Sequence, residues 1–108
     1  MPASDHYRAL ARRPVSLPAV VTSEDDLWEV SARVVDLGLG GARLEVQGPL
    51  GLGAPVRLTV VSPNLWDPLV LHGQVAWTNE PVAGIRFAHT SGSTLRALVD
   101  LISSHGFE

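Results

Sequence analysis

Residues 34–46 read VVDLGLGGARLEV, two strand-like runs joined by a short turn that holds Asp36 and the glycines Gly38, Gly40 and Gly41. Before the turn, Trp28, Val30, Ala32 and Val34 alternate with Glu29, Ser31 and Arg33; after it, Ala42, Leu44 and Val46 alternate with Arg43 and Glu45. A period of two sustained on both sides marks a pair of half-buried strands. Working outward, PVSLPAVV (14–21) reads as an earlier strand, and its prolines point to a sheet edge. SEDD (23–26) is a turn, and GPLGLGAP (48–55) is a second loop. Val56, Leu58 and Val60 alternate with Arg57 and Thr59 in a fourth strand. After the turn SPNLWDP (62–68), LVLHGQVAW (69–77) and VAGIRFA (82–88) extend the meander through a short TNEP connection.

The period then becomes helical. Leu95, Leu98, Val99 and Ile102 fall at i, i+3, i+4 and i+7, an apolar stripe with Ser91 or Ser93 as its N-cap and Gly106 as its end. Six short strands and one terminal helix predict an all-β fold, a small antiparallel barrel whose open end or edge the helix covers. Trp28 and Trp77 fall on the apolar faces of their strands and are expected in the core. Trp66 is expected to be partly exposed, as a partner contact or a lid over the barrel mouth. Alternation turns His72 outward.

Composition narrows the function classes. The 108 residues fit one domain, and an apolar share of 45% supports a core. With no cysteine, disulfides, thiolate metal sites and cysteine nucleophiles are excluded, and a reducing, cytoplasmic setting is expected. No apolar run approaches the roughly 18 residues of a membrane span, so no membrane insertion is expected. The net charge of −3 argues against coating DNA or RNA. All eight basic residues are arginine, and Arg8, Arg12 and Arg13 lie in the first thirteen positions, where Asp5 is the only acid. Residues 1–13 therefore read as a flexible basic arm ahead of an acidic body at 14–108, which suits a small anionic ligand better than a long polyanion. The four histidines share no ligand spacing, and no nucleophile elbow surrounds a serine, so neither a metal site nor acyl transfer is supported.

Three glycines within four residues can leave backbone N–H groups converging on an anion, or can supply left-handed positions in a plain hairpin loop. Asp36 can accept hydrogen bonds from the donor edge of guanine. A dinucleotide fingerprint is ruled out because Arg43 stands where it needs glycine, and a P-loop because the chain has no lysine. In the arm, Arg8 and Arg12 are spaced R-x-x-x-R with Arg13 adjacent, planar forks that fit phosphate oxygens or the O6 and N7 acceptors of guanine.

RALAR leading into RPVSLPAVV, then DLGLGG after a second strand, resembles a PilZ domain. That pattern is R-x-x-x-R before the first strand and D/N-x-S-x-x-G between the second and third. Arg8 and Arg12 match the arginines, Asp36 the D/N position and Gly41 the closing glycine. GQVAW (73–77), GIRF (84–87) and the amphipathic helix are similar to the family's later strands and C-terminal end, so the resemblance covers nearly the whole chain.

The resemblance implies a six-stranded barrel and a non-enzymatic receptor for cyclic di-GMP, with no cofactor. Arg8 and Arg12, with Arg13 auxiliary, would grip guanine and phosphate. Asp36, Gly38, Gly40 and Gly41 would supply the other face. The arm would order on binding and present a changed surface to a protein partner. One position departs from the pattern: Gly38 stands where the family has serine. Losing one neutral hydrogen bond costs on the order of 0.5–1.5 kcal/mol, a several-fold to tenfold drop in affinity. The alternative is a PilZ-like interaction module with weak or no nucleotide binding. Hydrolysis of cyclic dinucleotides would need clustered metal-binding carboxylates or histidines, which the sequence does not offer.

Overall fold

The computed structural model describes residues 13–63, 65–88 and 90–105. Six strands, β1 (Arg13–Ser23), β2 (Glu29–Leu37), β3 (Gly41–Val46), β4 (Pro55–Val60), β5 (Leu69–Asn79) and β6 (Val82–Phe87), precede one helix, α1 (Gly92–His105). The strands pair antiparallel around a closed barrel in the order β1-β2-β3-β6-β5-β4, the all-β architecture expected from alternation. Leu44 of β3, Val56, Leu58 and Val60 of β4, and Leu71 and Val75 of β5 point inward and are essentially solvent-free. Burying each such side chain contributes about 1.5–3 kcal/mol relative to leaving it exposed. Leu50, from the β3–β4 loop, joins the same core.

β1 is not an edge strand: it pairs with β2 on one side and β4 on the other. The prolines nonetheless mark something physical. Pairing with β4 begins only at Ala19, opposite Val60, so Pro14 lies where β1 has β2 alone as its neighbour. Pro18 offers its carbonyl to Val61 N–H at 3.1 Å, an acceptor role that its missing N–H does not impair.

α1 also differs from its expected orientation. Leu98, Leu101 and Ile102 are buried in the core, whereas Leu95 and Val99 remain 40% and 41% exposed. The inward face follows Thr94, Ala97, Leu98 and Leu101, so small residues occupy positions that a count of large apolar side chains passes over. Of the two candidate caps Ser91 serves: its hydroxyl accepts from Thr94 N–H at 3.3 Å and its carbonyl from Leu95 N–H at 2.9 Å. Gly106 lies outside the described residues.

Neither tryptophan assigned to the core is there. Trp28 precedes the first residue of β2, with its N–H donated to Ser23 Oγ at 3.2 Å, and is 37% exposed. Trp77 is 43% exposed on the outer wall. Trp66 is fully exposed and covers no barrel mouth.

The β1–β2 connection is pinned by charge and by local bonds. Asp26 adopts a left-handed φ of 63° and pairs with Arg57, holding that guanidinium above its usual range. A hydrogen bond from the Ser23 side chain, then one from Leu27 N–H, holds the Asp25 carboxyl below its usual range. His72 faces outward as expected, with Nδ1 2.8 Å from Glu24 Oε2. Among the described residues no helix is long and apolar enough to cross a membrane.

Candidate functional site

Plain alternation from Val30 through Ala32 and Val34 would carry Asp36 to the inside of the barrel. A β-bulge prevents this. Val34 pairs with Leu44 but Asp36 pairs with Arg43, so Val35 is an extra residue on β2. The pleat shifts by one, Leu37 takes the inward place with no exposure, and Asp36 joins Arg43 on the outer face. β1 is irregular at the same level, between Pro14 and Leu17, which keeps Pro14 beside Asp36.

A second bulge does the same on β5. Val75 pairs with Ile85 and Trp77 with Gly84, leaving Ala76 over. Trp77, inward by simple counting, swings out and lays its indole across Gly84, where a Cβ would collide with the ring. The cross-strand register then runs Asp36–Arg43–Gly84–Trp77 across β2, β3, β6 and β5. At about 4.8 Å per strand, the backbones of Asp36 and Trp77 stand about 14 Å apart on one surface row, with the indole reaching back over Gly84. Alternation alone hid Trp77, and only its isolated pairing with a glycine on the neighbouring strand could have revealed it.

The three turn glycines have distinct roles. Gly41 begins β3 opposite Arg86, and a Cβ there would run into the carbonyl oxygen of Ile85, so close approach of β6 requires glycine. Gly38 is buried and donates its N–H to Gly41 O at 2.9 Å, which removes that donor from any anion-binding concavity. Gly40 is exposed, accepts from Phe87 N–H at 2.9 Å, and has nothing within 4 Å of a would-be Cβ. The left-handed hairpin alternative does not apply: among the described residues the glycine with positive φ is Gly53, at 82° in the β3–β4 loop. Packing therefore accounts for Gly41, while nothing in the described fold demands glycine at 40.

Arg8 and Arg12 lie outside the described residues. Their attachment point does not: Arg13 is the first residue of β1 and pairs with Leu37, next to Asp36 and Gly38. Arg12 is thus one Cα step of 3.8 Å from that pair, and Arg8, five residues before Arg13, lies within about 18 Å of it. The β-ladder brings the root of the arm, Asp36 and the glycine turn to one end of the barrel.

The sequence model of the PilZ domain matches residues 5–104. No curated protein matches the chain. Among solved structures, the PilZ domain of CeSA from a cellulose-synthesizing bacterium is 19% identical with a TM-score of 0.72, covering 86% of this chain and 95% of that one. The PilZ domain of YcgR from Escherichia coli, solved with c-di-GMP, is 19% identical with a TM-score of 0.71 over 87% of each chain. The Bacillus subtilis inhibitor of motility MotI/DgrA is 15% identical with a TM-score of 0.68, over 87% of this chain and 48% of that one. Those likenesses establish the shared barrel, and with a family match that spans all six strands and most of the helix, the chain belongs to the PilZ domain family.

Proposed function

We propose that this domain is a non-enzymatic cyclic di-GMP receptor whose arm closes on the ligand and changes the surface offered to a protein partner. Membership places it in a family of cyclic di-GMP receptors. The observation that carries the reading is the pairing of Arg13 with Leu37, which roots the arginine arm at the Asp36–Gly41 turn. Arg8 and Arg12 grip phosphate oxygens or the guanine O6 and N7 edge in bidentate fashion, and Arg13 adds charge. Asp36 accepts from the guanine N–H donors, and bare Gly40 lets the ligand approach the backbone. Gly41 lets β6 pack closely against the turn, Gly38 completes the ligand-facing bend, and the Trp77 indole offers a stacking face over Gly84.

Calorimetric titration with cyclic di-GMP tests the reading: saturable heat with a dissociation constant in the micromolar range or below is expected. No heat at high micromolar ligand would overturn it and favour a constitutive interaction module, the alternative that Gly38 supports. Gly38→Ser restores the family's hydroxyl and is expected to tighten binding about three- to tenfold, from the 0.5–1.5 kcal/mol of one neutral hydrogen bond. Weaker binding in that variant would mean that the turn presents a different atom to the ligand.

Arm closure has its own readout. Cleavage by trypsin after Arg8 and Arg12 is expected to slow several-fold in saturating cyclic di-GMP; the Arg13–Pro14 bond is not a trypsin site. Equal rates in both states would separate binding from closure.

A further inference from the structure

Arg43 and Arg86 are both exposed, and neither forms a salt bridge or a side-chain hydrogen bond among the described residues. In contrast, Arg33 donates to Ser16 at 3.0 Å and Arg57 pairs with Asp26. Arg96 on α1 likewise has no such partner among the described residues, but Arg43 and Arg86 are neighbours. Arg43 pairs with Gly84 and Arg86 with Gly41, so they sit on the diagonal of one antiparallel ladder with both facing outward. Diagonal partners are about 7–8 Å apart, within reach of each other's long side chains.

Like charges so placed repel. Asp36 lies directly across from Arg43 on β2, and Glu45, two residues beyond Arg43, makes no salt bridge among the described residues. Arg86 is open on its other side as well, where a groove of about 430 Å³ extends to Gln74, His72 and Pro55. The residues facing the two arginines across the ladder are glycines, Gly84 and Gly41, and the Trp77 indole lies over Gly84 as an apolar floor beside Arg43.

Resting on the nucleotide-receptor reading above, we propose that Arg43 and Arg86 form an anion subsite on the barrel wall itself, which takes a phosphodiester group of the ligand held at the turn. Each guanidinium presents a planar fork, and two forks converging on one phosphate relieve their own repulsion. Charge-assisted bonds are roughly twice as strong as neutral ones, so the pair compensates for the hydroxyl absent at Gly38. This subsite lies outside the R-x-x-x-R and glycine-turn positions and belongs to rigid ladder residues. It therefore exists before the arm closes and can capture the ligand first.

The test uses the full chain, Arg43→Gln, Arg86→Gln and the double variant, with two probes. Inorganic pyrophosphate, followed by amide and arginine side-chain NMR, addresses the subsite without the nucleotide. The expected result is a single saturable shift shared by Gly41, Arg43, Gly84 and Arg86, which disappears from Gly41 and Gly84 in the double variant while the remaining spectrum is retained. Cyclic di-GMP, followed by calorimetry, is expected to bind each single variant about five- to tenfold more weakly, with a shallower salt dependence. Pyrophosphate that leaves Gly41 and Gly84 unmoved, or moves them equally in the double variant, overturns the subsite. So does nucleotide binding within twofold of wild type in both single variants. Should the wild-type chain give no heat with cyclic di-GMP, the receptor reading fails and the pyrophosphate arm alone decides the subsite.

Discussion

Replacing Arg8 and Arg12 together with alanine is expected to weaken cyclic di-GMP binding by at least about a hundredfold. A hydrogen bond to a charged group contributes roughly 1.5–3 kcal/mol. Two such forks therefore supply about 3–6 kcal/mol, and every 1.4 kcal/mol is a factor of ten. The strand pairing of the barrel should persist, because both residues precede the first described ladder pair, Arg13 with Leu37. Calorimetry beside a thermal melt checks both halves of the expectation. An unchanged dissociation constant in the double variant would show that the ligand is held without the arm.

The second large effect concerns the turn glycines, which should separate sharply. Gly41→Ala directs a methyl group at the Ile85 carbonyl, an atom fixed in the β3–β6 ladder. Overpacking of this kind costs about 1–3 kcal/mol. In a domain of this size the melting temperature should fall by roughly 5–20 °C. Gly40→Ala meets no neighbour within 4 Å and needs no left-handed backbone, so its stability should hold or rise by up to about 1 kcal/mol. Its nucleotide affinity should nonetheless fall several-fold, because the added methyl occupies the ligand's line of approach. Thermal melts and titrations of the two variants give the comparison. Full affinity in Gly40→Ala would remove Gly40 from the contact surface.

Much of this molecule was readable from residue order, for identifiable reasons. Strands such as β3 and β4 keep a strict period of two, so Ala42, Leu44 and Val46, and Val56, Leu58 and Val60, are placed inward by counting alone. The candidate site was legible in a different way. Arg8, Arg12, Asp36 and Gly41 are sequence-spaced motif positions, whereas their convergence depends on the β1–β2 register. What counting missed is where regularity breaks. Trp77 was assigned inside because one bulged residue, Ala76, leaves no signature in composition. Arg43 and Arg86 are separated by 43 positions and become neighbours only through the β3–β6 ladder. The helix face was misjudged because Thr94 and Ala97 pack as well as larger residues where space is short.

The outer row of Asp36 and Trp77 depends on two single supernumerary residues, Val35 and Ala76. Most surface positions tolerate exchange of one side chain for another, and these two strands should as well. Removing one residue is a different kind of lesion: shortening either strand by one restores strict parity and sends a carboxylate or an indole into a packed apolar interior. Length, more than identity, is what this surface must preserve.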